Sequence, residues 1–289
     1  MPEGPEVKSV TVYLDRELSG AQLIDITCID PIKYFQINAK GKECRFHQLL
    51  DYLPAVINRV FCKGKCIFFE LYSVNSKLNI YLFSHLIMTG RWVPKSDRPK
   101  LTLHFGTVYQ LFATFIHVQR TFDYEDDRGL GRLNLLTEME LQAKLASLGP
   151  DLLSDDISWN QWQNITKRCP RRQLVSFLME PSLVSGVGNY LKCEILYRAR
   201  LAPNRKVGSL TVEENLLLYQ SALATIKESY SYGGLTIKNF WHPDGKRGTF
   251  PTQVYGDRRT KTHDPYGNPI SRDKFADGRT THWVPTIQL

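Results

Sequence analysis

Residues 133–153 read LNLLTEMELQAKLASLGPDLL, and the texture of the chain changes inside this stretch. From about Leu23 to Leu133, β-branched and aromatic runs are broken by turn residues: LIDITCIDPI (23–32), RVFCKGKCIFFELY (59–72), KLNIYLFSHLIMTGRWV (77–93), KLTLHFG (100–106) and TVYQLFATFIHV (107–118). Short strands at this spacing predict a β-sandwich or barrel. After Gly149-Pro150 the pattern becomes helical, in WNQWQNITKRC (159–169), RRQLVSFLMEP (171–181), GNYLKCEILYRAR (188–200) and TVEENLLLYQSALATIKESY (211–230). From about Thr249 the apolar periodicity fades into Gly, Pro, Asp, Arg and Thr, which predicts a small hairpin module. The expected organisation is therefore α+β: a β-domain over 1–148, a helical domain over 149–248 and a hairpin over 249–289.

The bulk numbers fit that division. A chain of 289 residues, 42% hydrophobic, can bury a core in each of two domains. A net charge of +8 suits a polyanionic partner such as nucleic acid. There is no run of eighteen apolar residues and no basic-then-apolar leader, so the expectation is a soluble, intracellular protein with no membrane partner. The six cysteines read as reduced thiols, mostly buried: Cys62 and Cys66 are the only close pair and lack a metal-ligand spacing.

Four local patterns carry chemistry. The chain opens MPEGPEVKSV (1–10), where removal of Met1 would expose the secondary amine of Pro2 beside Glu3. One reading is capping: proline is tolerated at a helix start, and Glu3 and Glu6 suit its positive end. That helix is expected over Glu6–Leu18, with Val7, Val10, Val12 or Tyr13 and Leu18 on its apolar face. The other reading is a nucleophile, an amine able to attack a sugar carbon with an acid at its side. CKGKC (62–66) places Lys63-Gly64 at a two-residue hairpin turn, so that Lys65 opens the next strand. SGVGN (185–189) sets Gly186 and Gly188 before a helix, where backbone amides and the Asn189 side chain could meet a phosphate. DGRTTHWVPTIQ (277–288) puts Arg279 at a turn between two extended pieces.

Taken in order, these four patterns resemble the formamidopyrimidine-DNA glycosylase/endonuclease VIII family. HLIMTGRW (85–92), DDRGLGRL (126–133), LGPDLL (148–153), GGLTIKNF (233–240) and PTQVYG (251–256) extend the resemblance over nearly the whole chain. It implies a β-sandwich followed by a helix-two-turns-helix domain. It further implies a bifunctional DNA glycosylase and AP lyase of base excision repair, acting on damaged DNA as a monomer. In this resemblance Pro2 is similar to the nucleophile that forms a Schiff base with sugar C1′, and Glu3 to the acid that helps open the ring. Lys65 is similar to the lysine that assists base loss and contacts a phosphate. Asn189 and Arg279 are similar to the pair holding phosphates around an everted nucleotide, with Arg279 also a proton donor in δ-elimination. Met88 and Arg128 match two of three residues that fill the void left by the base. The third corresponds to Leu130 or Gly129, where phenylalanine is common in the guanine-excising branch.

The C-terminal module departs from zinc-binding relatives, which carry two Cys-x-x-Cys pairs. His263, Tyr266, Val284 and Ile287 stand where the thiolates would be, so the resemblance implies a zincless finger and no cofactor. Tyr266, Phe275, Trp283, Val284 and Ile287 are expected to pack beneath the turn instead. This departure shifts the implied substrates toward oxidised pyrimidines and hydantoins. A non-catalytic binder of damaged DNA has no need of Pro2, Glu3 and Lys65 together, and an RNA-binding reading leaves the N-terminal proline and the β-domain unexplained.

Overall fold

A computed structural model describes residues 1–28, 45–110, 114–236 and 242–289. The chain divides into two compact units: Met1–Pro2, Val7–Ala146 and Thr236–Arg247 form the first, and Glu3–Glu6, Ser147–Leu235 and Gly248–Leu289 the second. The C-terminal hairpin thus falls in the same unit as the helices, whereas the sequence reading kept 249–289 apart. Residues 237–240 of the GGLTIKNF stretch, 29–32 of LIDITCIDPI, 111–113 of TVYQLFATFIHV and Cys44 lie outside the described residues.

The first unit is built on strands β1 (Gln22–Cys28), β2 (Ala55–Lys63), β3 (Cys66–Ser73), β4 (Asn79–His85), β5 (Gly90–Val93), β6 (Leu101–Gln110), β7 (Thr114–Asp126) and β8 (Arg132–Leu136). They pair antiparallel in the order β5-β7-β6-β1-β2-β3-β4-β8. The sheet closes over itself as a sandwich. Trp92 on β5 packs its ring, tilted, 5.2 Å from that of Phe69 on β3 and donates its indole N–H to Ser84 Oγ on β4 at 3.1 Å, across the sheet order. Helix α1 (Gly4–Leu18) lays Val7, Val10, Leu14 and Leu18 into this core. It begins two residues earlier than the sequence reading had it, and Val12 is exposed. Val12 lies two residues from Val10 and Leu14, on the other side of a 3.6-residue turn. Helix α2 (Glu138–Ala146) follows β8.

The second unit contains α3 (Trp159–Lys167), α4 (Leu174–Leu178), α5 (Asn189–Arg198) and α6 (Val212–Ser231). Capping boxes start two of them: Ser158 with Gln161 at α3, and Thr211 with Glu214 at α6. Trp162, Phe177, Leu191, Leu196, Leu218 and Ile226 form the centre of the core. Strands β9 (Ser271–Lys274) and β10 (Thr280–Trp283) pair antiparallel to make the hairpin that carries Arg279 in its turn.

Candidate active site

Glu3 is almost wholly buried, and its carboxylate is gripped by the start of α5: the N–H groups of Gly188, Tyr190 and Leu191 donate to it at 2.8, 2.9 and 3.2 Å. An ionised carboxylate only accepts hydrogen bonds, and a helix N-terminus only offers N–H donors, so the two ends match. This corrects one sequence expectation. The N–H groups of Gly188, Tyr190 and Leu191 are taken by the Glu3 carboxylate and do not await a phosphate. Gly188 is glycine because a Cβ there would overlap Glu3 Cδ and Oε1. The capping role falls instead to Glu6, which accepts the Glu3 N–H at 2.7 Å. Fully buried, Glu6 also accepts the Tyr190 hydroxyl at 2.8 Å and the Leu235 N–H at 2.6 Å. Burial pushes its carboxyl up, and these donors pull the other way.

Lys65 stands in a hairpin turn, one position away from its expected place. β2 ends at Lys63 and β3 begins at Cys66, with Lys63 and Cys66 paired, so the turn residues are Gly64 and Lys65. Gly64 has φ 58°, the left-handed conformation that glycine alone adopts freely at the first turn position. His85, at the end of β4, feels this turn. Burial lowers the imidazole to about 4, reinforced by Lys65, Arg132 and Lys144.

That shift predicts a pH signature. An imidazole lowered in the folded state takes up its proton more readily when unfolded, so its contribution is complete above about pH 6.5 and lost as pH falls toward 4. In urea titrations of the DNA-free protein, stability should drop over that interval by up to about 3 kcal/mol more than in His85→Gln. Parallel pH curves for the two proteins would refute it.

Met88 and Arg128, the two residues expected to fill the void, meet. Arg128 Nη1 lies 3.5 Å from Met88 Sδ, and both side chains are exposed. Asp126 ties their loops together. Its Oδ1 accepts the Thr89 hydroxyl at 2.6 Å and its Oδ2 the Gly131 N–H at 2.7 Å, while Arg128 N–H reaches Thr89 Oγ1 at 3.2 Å. Of the two positions left open for a third residue, Leu130 presents an apolar side chain, 42% exposed, and Gly129 has none.

In the second unit Asn189, the first residue of α5, and Arg279, in the β9–β10 turn, belong to one network. The Asn189 Nδ2 donates to Thr280 O at 3.0 Å, and Lys192 Nζ donates to Asn189 Oδ1 at 2.9 Å and to Asp277 Oδ2 at 2.5 Å. The Arg279 side chain is exposed.

The hairpin residues do not fit a zinc ion. Val284 is fully buried among Cys193, Tyr197, Val254 and Ile270, with Ile287 packed beside them, and His263 supplies the one imidazole of the four positions. Two parts of the expected apolar cluster fail. Tyr266 is 84% exposed, and Trp283 is half-buried, with its N–H donating to Asp273 at 2.7 Å and its ring edge-on to Phe275. Both rings keep a polar tip at the surface, and aliphatic Val284 and Ile287 take the interior. What anchors the module is Glu194, on α5, whose carboxylate accepts the N–H groups of Gln253, Val254 and Tyr255 at 2.7, 3.0 and 2.8 Å.

Residues 1–133 match the model of the formamidopyrimidine-DNA glycosylase N-terminal domain, and 148–240 that of the formamidopyrimidine-DNA glycosylase H2TH domain. The chain belongs to the formamidopyrimidine-DNA glycosylase/endonuclease VIII family. It is 31% identical over 295 residues to the formamidopyrimidine-DNA glycosylase of Thermus thermophilus, covering 100% of this chain and 98% of the relative. It is 30% identical over 295 residues to that of Exiguobacterium, covering 100% and 99%. The crystal structure of the MutM (Fpg) protein from Thermus thermophilus superposes with a TM-score of 0.79 at 29% identity over 99% of this chain and 98% of that one. A complex of the Lactococcus lactis Fpg with DNA containing an abasic site shares the fold, with a TM-score of 0.78 at 24% identity over 99% of each chain. Within this family fold, the sequence reading missed Asp126, Lys192 and Asp277, and gave Glu6 a capping role alone. Asp126 lies inside the quoted DDRGLGRL motif, which was the available signal for it. Among the described residues, no helix is long and apolar enough to cross a membrane.

Proposed function

We propose that this DNA glycosylase of base excision repair removes oxidised pyrimidines and hydantoins and then nicks the strand, acting as a monomer. The observation that carries the reading is the grip on Glu3, which holds a carboxylate immediately beside Pro2 by three backbone N–H groups from the turn that carries Asn189. Once Met1 is removed, the Pro2 nitrogen attacks sugar C1′ and the glycosidic bond breaks as the base departs. Glu3 takes up the proton that the Pro2 nitrogen loses on bonding to C1′ and passes it to the ring oxygen as the sugar opens, leaving an iminium between Pro2 and C1′. Loss of a C2′ proton expels the 3′ phosphate, and a second elimination expels the 5′ phosphate with Arg279 as proton donor. Lys65 assists base loss and meets a phosphate. Asn189 and Arg279 hold the phosphates flanking the everted nucleotide, and Met88, Arg128 and Leu130 occupy the void it leaves.

The leucine at the third void position and the hairpin without thiolates support the lesion class. A panel of oligonucleotides carrying hydantoin, oxidised pyrimidine, formamidopyrimidine or 8-oxoguanine, each as single strand and duplex, tests it. Hydantoins and oxidised pyrimidines should be excised fastest, and 8-oxoguanine opposite cytosine as the best substrate would overturn the assignment. Binding should weaken steeply with salt, log K falling by about 0.9 per log unit of salt for each phosphate neutralised on duplex DNA. Asn189→Ala should weaken binding to every lesion alike, because phosphate contacts position the duplex without reading a base.

A further inference from the structure

Lys192 has no exposed side-chain surface, and its partner Asp277 retains only 3%. A buried lysine cannot touch a DNA phosphate, so its place in this network needs another explanation. Replacing a buried ion pair by apolar residues of similar size is often neutral or stabilising. Stability alone therefore does not account for the pair, whereas its geometry does. The ammonium group can only donate, so the end of the Asn189 amide that faces it at 2.9 Å must be the oxygen. That fixes the flip of the amide and directs its NH2 group toward Thr280 O and the side of the hairpin. Asp277 then accepts from Lys192 through Oδ2 at 2.5 Å and from the Arg279 backbone N–H through Oδ1 at 3.3 Å, which braces the turn. A carboxylate two residues before an arginine that meets phosphate would oppose phosphate binding by like-charge repulsion. Lys192 neutralises it within the protein and leaves the Arg279 charge free of it.

We propose that Lys192 and Asp277 are a positioning pair that locks the Asn189 amide and the Arg279 turn into one preformed phosphate clamp; this rests on the phosphate-holding roles given above to Asn189 and Arg279. Preformation spares the ordering of two separate elements when DNA binds.

The test compares two double variants of the full chain, each checked for folding by thermal unfolding. Lys192→Met/Asp277→Leu removes the pair but keeps its bulk; Lys192→Gln/Asp277→Asn keeps a donor toward Asn189 and an acceptor toward Arg279 without charge. Affinity for a duplex carrying a tetrahydrofuran abasic analogue is measured at fixed salt. The apolar variant should keep the parent's unfolding midpoint within a few degrees and bind at least about tenfold more weakly. The polar variant should stay within about threefold of the parent. In an Asn189→Ala background the apolar exchange should cost clearly less than it does alone, because its effect through the Asn189 amide is already gone and only the Arg279 turn is left to loosen. Parent-like binding by the apolar variant, or a fully additive loss on Asn189→Ala, overturns the pair's role. If Asn189→Ala itself leaves affinity unchanged, it is the phosphate-clamp reading that fails.

Discussion

Borohydride added while the protein processes abasic DNA is expected to trap a covalent protein–DNA adduct at Pro2. The secondary amine forms a cationic iminium with C1′, and hydride addition to that carbon turns a reversible bond into a stable tertiary amine. An N-terminal tag that leaves the Pro2 nitrogen in an amide removes its lone pair from use. Strand cleavage should then fall on the order of 10³-fold or more, the scale on which loss of a nucleophile acts, equivalent to about 4 kcal/mol of transition-state stabilisation. Peptide mapping of the trapped adduct decides the matter. An adduct at Lys65 or another lysine, or full cleavage by the tagged chain, would rule out the proline.

The second large effect is expected from a single methyl group. Gly188 has φ −128° and ψ −159°, extended backbone that alanine adopts without strain, so Gly188→Ala acts through the steric overlap with Glu3. The carboxylate must shift from its place against the three N–H donors, and each donor left buried without a partner costs about 1–3 kcal/mol. Excision of a damaged base should fall by about 10²–10⁴, the range for losing a positioned acid. Cleavage at a preformed abasic site should fall less than about tenfold, since that sugar already equilibrates with its ring-opened aldehyde and needs less help from the acid. Glu3→Gln should show the same split, because an amide offers one acceptor oxygen where the carboxylate had two. Equal losses on both substrates, measured in single-turnover assays, would remove Glu3 from the base-loss step.

The boundary of texture at Gly149-Pro150 was legible because strand and helix periodicities are local properties of the chain, and the helices after it lie close to where their apolar spacing puts them. The turn at Lys65 shows the limit of such reading. CKGKC is palindromic, so the glycine can take either central position of a two-residue turn, and only the pairing of Lys63 with Cys66 selects the first. The Glu3 grip was out of reach for a different reason. It joins residues 185 to 188 positions apart, and nothing in GVGN says whether its amides meet a ligand or another part of the same chain. Lys192 was equally silent, since a lysine inside an amphipathic helix ordinarily marks the solvent face. Its burial follows from Asp277, 85 residues downstream.

The distance along the chain between Glu3 and Gly188 also sets an order of events during synthesis. Glu3 reaches its final partners only after 185 more residues have been added, roughly 10–40 s of elongation. Throughout that interval the segment around Glu3 has no α5 to receive it and stays open to solvent, whereas in the finished protein Pro2 and Glu3 are both buried. A nascent chain that has produced only the sheet therefore holds Pro2 and Glu3 unassembled, and the proposed catalytic end takes its final form late in translation.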